Sequence, residues 1–195
     1  MASARWALIS AERIEESAAC ALSVVARLQA AGIRTAGFSQ HKSTHAQGTK
    51  RYEVLRLHSQ ERALLAVEGA CAQGDNEMPF CSMVFYNDGF ATAQRWVEEE
   101  RHQAELFLLN GLGKLEVFDK GHAPLLERLL KEEGALLLLC VRASQLGCFM
   151  ERFLLPEERM VDALELPASP QAVEVFVQNL TASCRAYRTG TAISS

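Results

Sequence analysis

Two short stretches hold the residue types from which phosphate chemistry is built. The first, Ser10-Ala-Glu-Arg-Ile-Glu-Glu-Ser17, directly follows the apolar run Trp6-Ala-Leu-Ile9. A phosphate-gripping loop of the pattern GxxxxGK[ST] needs glycines that admit backbone N–H groups to the phosphate. It also needs a lysine for the β/γ oxygens and a hydroxyl for magnesium. On that spacing the glycine positions hold Ser10 and Glu15, the lysine position holds Glu16, and only the hydroxyl of Ser17 remains. A carboxylate in place of the lysine reverses the sign of an interaction of about 4 kcal/mol at ~4 Å and an effective dielectric of ~20. The bland alternative is a helix start whose first-turn glutamates favour the helix dipole. The second stretch is Leu106-Phe-Leu-Leu-Asn110-Gly-Leu-Gly-Lys-Leu-Glu116. Four apolar residues ending in an acid would make a magnesium-binding strand. Asn110 stands at the acidic position without the negative charge that magnesium prefers, and Gly111 follows it. Asn110, Gly113, Lys114 and Glu116 still gather polar groups at a strand end, where they either meet a ligand or leave Lys114 and Glu116 as a solvated surface pair worth ~0–1 kcal/mol.

Other candidates carry less. His41 and His45 have the i, i+4 spacing that on a helix could hold a metal, but they lie in a Ser/Thr/Gly-rich stretch and are expected to be solvated. His58, His102 and His122 have no suitable sequence neighbours. Trp96 falls on a helix at a spacing suited to the core. The six cysteines form no CxxC pair and no metal-ligand spacing. Cys20, Cys140 and Cys148 sit in apolar stretches, as buried, reduced thiols do, and a reducing cytoplasm is the expected compartment. No leader-like segment opens the chain, and the apolar run 135–141 is far below the ~20 residues that span a bilayer. A net charge of −4 and a pI of about 5.8 speak against a nucleic-acid binder, which needs concentrated basic surface.

These residues must be positioned by an alternation of strands and helices. A strand over 6–9, a helix over 17–31 stopped by Gly32, and a strand over 33–38 give a βαβ opening, hence a parallel sheet. Residues 40–50 read as a polar loop. Residues 52–57 and 63–67 read as a hairpin, 71–79 as a polar connection, and 82–86 as a strand. Asp88 is expected to cap a helix over 90–104. A strand over 105–109, a helix over 124–133 and a strand over 135–141 follow. A helix over 149–155, a short strand over 161–166 and a final helix from Ser169-Pro170 to about 184 complete the order. With 195 residues and 49% hydrophobic content, one domain over 1–185 with a flexible tail over 186–195 is expected. In such a sheet, ligands bind beyond the carboxyl ends of the strands. The strand ending at Leu109 is expected to lie beside strand one, with the N–H groups of Gly111 and Gly113 open to an anion.

From these residues on, the chain to about 166 resembles the cancer-related (thermophilic) nucleoside-triphosphatase family of small P-loop enzymes. The resemblance rests on Ala36-Gly-Phe38 for a GGF-type second strand, the hairpin over 52–67, and Asn110-Gly-Leu-Gly-Lys-Leu-Glu116 for Asp-Glu-Ile-Gly-Lys-Met-Glu. It is more similar still to a related bacterial family of unknown function. That family lacks the P-loop and carries Asn-x-Phe-Gly-Lys-x-Glu at this strand end, with Leu112 here replacing the Phe. The resemblance implies a P-loop-NTPase-like three-layer α/β sandwich, mostly parallel, with a β-hairpin insertion. It also implies a catalytically degenerate protein that binds a nucleotide or small anion, or a protein partner, in a regulatory or accessory role. The candidate ligand-binding residues are Ser17, Gly37, Asn110, Gly111, Gly113, Lys114 and Glu116. No catalytic residue, metal site or cofactor is assigned, and neither nucleic acid nor membrane is expected as a partner. The alternatives are an unorthodox nucleoside-triphosphate hydrolase using Lys114 and Glu116, or an accessory to molybdenum or oxyanion metabolism, the gene context of the relatives. Exchanging Lys114 or Asn110 for Ala is expected to abolish binding and leave the melting temperature nearly unchanged.

Overall fold

Runs such as Leu106-Phe-Leu-Leu109 and Leu136-Leu-Leu-Leu139 are apolar at every position, which suits only a strand covered on both faces. The computed structural model, which describes residues 4–44 and 48–188, places them at the centre of one nine-stranded sheet. The elements are β1 (Arg5–Ala11), α1 (Ile14–Ala30), β2 (Thr35–Thr44), β3 (Lys50–Arg56), β4 (Arg62–Glu68), β5 (Glu77–Phe80), β6 (Met83–Tyr86) and α2 (Asn87–Glu100). They continue with β7 (Leu106–Leu112), α3 (Lys114–Val117), α4 (Ala123–Lys131), β8 (Leu136–Arg142), α5 (Leu146–Phe153), β9 (Met160–Glu165) and α6 (Pro170–Arg188). The strand order is β5-β6-β4-β3-β2-β7-β8-β1-β9. From β2 to β9 the pairs are parallel, and from β2 to β5 they are antiparallel.

Alternate residues of each central strand feed opposite layers. Trp6, Phe107, Leu109, Leu137 and Leu139 pack with Trp96 of α2, Leu126 of α4 and Phe149 of α5. Ile9, Leu106, Leu108, Leu136 and Leu138 pack with Val24 and Leu28 of α1 and Phe176 and Leu180 of α6. The result is helix, sheet, helix. Gly32 takes φ +80 after α1 and its N–H closes on Gln29 O, as a C-terminal glycine should.

Several sequence expectations change. Residues 40–44 are not loop: β2 continues through them and pairs with β3 from Phe38↔Arg56 to Thr44↔Lys50. Their polarity reflects a half-exposed ribbon beyond the body of the sheet, not an absence of pairing. The other half of the histidine pair, His45, lies outside the described residues, whereas His41 stands on β2. The connection over 71–79 hides β5, which hairpins onto β6 through Cys81-Ser82. Cys81 takes φ +55 there, so the turn lacks the Gly or Asn that would mark it in sequence. Asp88 does not cap α2, whose N-cap is Tyr86; its carboxylate accepts from Asn76 Nδ2 at 2.9 Å. Strand β7 is not beside β1, because β8 stands between them: the crossover from β7 through α4 returns the chain to the adjacent position. Cys148 is exposed, since α5 turns Phe149 and Phe153 inward. Helix α6 runs through Arg188, past the helix end expected at about 184, and Arg188 pairs with Glu105 at the amino end of β7.

Candidate functional site

At the carboxyl edge of the parallel strands, between that edge and the antiparallel wing, lies a cleft of about 340 Å³. Its sheet side is formed by Ala11 of β1, Gly111 and Leu112 of β7 and Arg142 of β8, and its far wall by Phe80, Cys81 and Phe85 of the β5–β6 hairpin. Ser17, Gly111, Gly113, Lys114 and Glu116 line it; Gly37 and Asn110 lie behind it.

Asn110 is fully buried. Its Oδ1 accepts the backbone N–H of Gln40 at 3.1 Å and the Ser39 hydroxyl at 3.4 Å, while its Nδ2 donates to Ser17 Oγ at 3.2 Å. The Ser17 hydroxyl in turn donates to Ile14 O at 3.0 Å. The amide therefore ties β7, β2 and α1 together. Its exchange for Ala removes these partners, which corrects the expectation of an unchanged melting temperature.

Gly37 takes φ +107, and a Cβ there would lie 2.1 Å from Leu108 O. Only glycine permits this approach of β2 to β7. Gly111 takes φ +103 at the register shift between Asn110 and Leu112, against the Gln40 side chain. That one-residue bulge leaves Gly111 unpaired before Leu112 resumes the pairing with Val141 of β8.

Beyond the bulge, the N–H of Gly113 is not open. It donates to Glu116 Oε2 at 2.8 Å, and the N–H of His122 donates to Oε1 at 3.0 Å. Glu116 is thus buried and holds the turn before α4; it is not a surface partner of Lys114. Burial pushes its carboxyl up to about 7, against the opposing pull of those two N–H groups. His122 is also buried and lies between Phe38, tilted against it at 4.4 Å, and Phe90, edge-on to it at 4.9 Å. Burial drives its imidazole down to about 3, so it is neutral, and its Nε2 has no protein partner. Lys114 is exposed, with Nζ 3.6 Å from Cys81 Sγ and 5.7 Å from the centre of the Phe80 ring.

The turn after β1 is built differently. Strand β1 ends at Ala11 and α1 begins at Ile14, so only Glu12 and Arg13 connect them. The N–H groups of Glu16 and Ser17 close on Arg13 O at 3.2 and 3.3 Å. Glu15 accepts from Lys42 Nζ at 2.9 Å, a bond that lowers the Glu15 pKa, and Glu16 lies 3.6 Å from Arg13. Among the described residues no group of three or more His, Cys, Asp or Glu is arranged to hold a metal, and no helix is long and apolar enough to cross a membrane.

Sequence reasoning missed Arg142, His122 and the aromatic wall. Arg142 had a usable signal, since it directly follows an apolar strand at the edge where ligands bind. His122 had none: its environment comes from Phe38 and Phe90, distant in sequence. Of the wall, Phe85 fell in the strand read over 82–86, while Phe80 and Cys81 lay between that strand and the connection read over 71–79.

The solution structure of a human cancer-related nucleoside triphosphatase superposes with a TM-score of 0.60 at 15% identity, covering 98% of this chain and 100% of that one. The crystal structure of THEP1 from the hyperthermophile Aquifex aeolicus gives a TM-score of 0.62 at 14% identity, covering 92% and 98%. At such identities the likeness establishes the fold, that of P-loop NTPases. No curated protein matches the chain by sequence. The sequence model of the NTPase family matches residues 18–161, a span that begins immediately after Ser17.

Proposed function

The chain belongs to the NTPase family, and we propose that it is a catalytically degenerate member that works by binding a ligand at the carboxyl edge of its sheet. The observation that carries this reading is the state of Asn110. At the position of a magnesium-binding acid stands a neutral side chain, fully buried and bonded to Ser17, Ser39 and Gln40. Phosphoryl transfer depends on cationic and metal charge placed around the phosphate. Here the turn after β1 offers Glu15 and Glu16, and its N–H groups at Glu16 and Ser17 are closed on Arg13 O.

What remains at the edge suits binding. Lys114 and Arg142 line the cleft as cations, able to meet the anionic part of a nucleotide or a small oxyanion. Gly37 and Asn110 hold the frame from behind, while Gly111, Gly113 and Glu116 shape the turn. Such a protein acts as a regulatory or accessory component, responding to a ligand or presenting the occupied cleft to a protein partner.

The test is a thermal-shift screen of nucleotides with and without magnesium, alongside molybdate and tungstate. A ligand at ~100 times its Kd adds about 2.7 kcal/mol of stability. Hydrolysis of ATP or GTP is expected to stay at the buffer blank. Magnesium-dependent turnover that vanished in Lys114→Ala would overturn the reading in favour of a hydrolase.

A further inference from the structure

Burial pushes the thiols of Cys140 and Cys184 up to about 12 and about 11, which removes them from nucleophilic chemistry. Cys71, Cys81 and Cys148 are exposed, and their surroundings differ. Cys81 forms part of the far wall of the cleft. Its Sγ lies 3.6 Å from Lys114 Nζ, and Lys114 and Lys120 stand 5.7 and 5.3 Å from the centre of the adjacent Phe80 ring. Neither Cys71 nor Cys148 is hydrogen-bonded to an ammonium. An exposed sulfur in electropositive surroundings is where cysteine reactivity is found.

Two further features of this cleft are left unmatched by the protein. Lys114, Lys120 and Arg142 make no ion pair among the described residues. The carboxylates around them are engaged elsewhere: Glu68 with Lys50, Asp119 with Arg152, and Glu116 with the N–H groups of Gly113 and His122. His122 lines the cleft at 3% exposure, and its buried Nε2 has no hydrogen-bond partner. A buried nitrogen left in that state is costly. A peptide group removes the cost, through its N–H or its C=O according to the imidazole tautomer. A reactive sulfur, free cations and an unmet imidazole thus border one space of about 340 Å³.

We propose that Cys81 is a thiol–disulfide exchange site for a low-molecular-weight disulfide built from peptide thiols with free carboxylates, and that the adduct occupies the cleft. The Cys81 thiol gives its proton to solvent, and its sulfur attacks one sulfur of the reagent. A new Sγ–S bond forms, the S–S bond of the reagent breaks, and the other half leaves as a thiolate that takes up a proton. Cys81 is oxidised and the departing half is reduced, so no further oxidant enters. Lys114 and Arg142 meet the carboxylates of the retained half, and its amides meet His122. Lys120 adds to the positive field that draws the anion in. The adduct closes the cleft to other ligands until a free thiol reverses the exchange. This chemistry goes beyond the reversible binding proposed above, and it stands whether or not the thermal-shift screen finds a ligand.

The reduced wild-type protein is incubated separately with glutathione disulfide and with cystamine, and the rate at each cysteine is read by peptide mass spectrometry. With glutathione disulfide, Cys81 is expected to react about tenfold faster than Cys71 or Cys148, a preference that shrinks at high salt. With cystamine, which is cationic and carries no amide, that preference is expected to vanish. The ratio within one protein cancels the intrinsic difference between the reagents. Combined Lys120→Ala and Arg142→Ala, neither of which touches the sulfur, is expected to lower the glutathione preference and leave cystamine unaffected. The imidazole ¹⁵N resonance of His122 Nε2 is expected to shift as the glutathione adduct forms, and to stay in place in Cys81→Ser. The wild-type readouts need no variant to fold. Equal rates at the three exposed cysteines, a preference for Cys81 that cystamine retains, or an Nε2 resonance unmoved by the adduct overturns the proposal.

Discussion

The turns after β1 and β7 end on the same edge of one sheet, and they handle carboxylates in opposite ways. After β1, a connection of two residues, Glu12 and Arg13, leads into α1, whose first-turn Glu15 and Glu16 remain at the surface, paired with Lys42 and Arg13. After β7, a bulge at Gly111 lengthens the path, and Glu116 is drawn inside and clasped by the N–H groups of Gly113 and His122. A short connection leaves its acids to solvent and cannot form a cradle. A bulged one gains a residue of reach and encloses both its charge and a cleft. The chemistry available at a strand end thus depends on backbone path at least as much as on residue type.

The hardest blow to the β7 side is expected from Gly37→Ala, which forces a Cβ to within 2.1 Å of Leu108 O at φ +107. Neither backbone can yield cheaply, and a loss of roughly 3 kcal/mol or more is expected by urea denaturation. A wild-type midpoint would show that β2 and β7 need not approach so closely.

Asn110→Ala comes next. It strips partners from Gln40 N–H and Ser17 Oγ inside the fold, at a cost of about 2 kcal/mol. Chemical denaturation reads this directly, and a change below measurement error would mean that the amide does not tie the two turns together.

A third measurement sharpens the contrast between enclosed and exposed carboxylates. Glu116 is raised to about 7 from 4.5. Between those values the folded protein keeps a proton that the unfolded chain releases. Its contribution to stability is therefore full below about 4.5, falls as pH rises through the window, and is level above about 7. His122, lowered to about 3 from 6.5, acts the other way: in that window the unfolded chain takes up a proton that the fold excludes, so stability rises with pH. Glu116→Gln removes the first trend and leaves the second. Relative to the wild type it is expected to gain stability between pH 5 and 7.5, by up to about 3 kcal/mol. Parallel pH–stability curves for the two proteins would sink the claim.

The smallest effects belong to exposed positions. Lys114→Ala should leave the denaturation midpoint within about 0.5 kcal/mol of the wild type, while weakening whatever anionic ligand the screen finds. Glu16→Lys should leave magnesium-dependent hydrolysis at the blank, because one restored charge changes neither the short connection nor Asn110. Turnover in that variant would show that a lysine alone separates this turn from a working one.

Much of this was legible in the chain. Apolar runs such as 106–109 and 136–139 could only be strands covered on both sides, Gly32 could only end a helix, and the substitutions at 10, 15, 16 and 110 spoke for themselves. These are local properties: burial periodicity, capping and charge act over a few residues, so a sequence displays them. Of the candidate site, the sequence offered Ser17, Gly111, Gly113, Lys114 and Glu116, which the fold gathers on one cleft. It could not tell that Asn110 faces inward, that Glu116 is enclosed, that β8 separates β7 from β1, or that Phe38 and His122 meet across 84 residues of chain, 4.4 Å apart. Those outcomes follow from strand order and from which face of each turn the neighbouring strands cover. Such non-local pairings are fixed only when the whole sheet closes, and they decide whether a polar side chain serves the frame or meets a ligand.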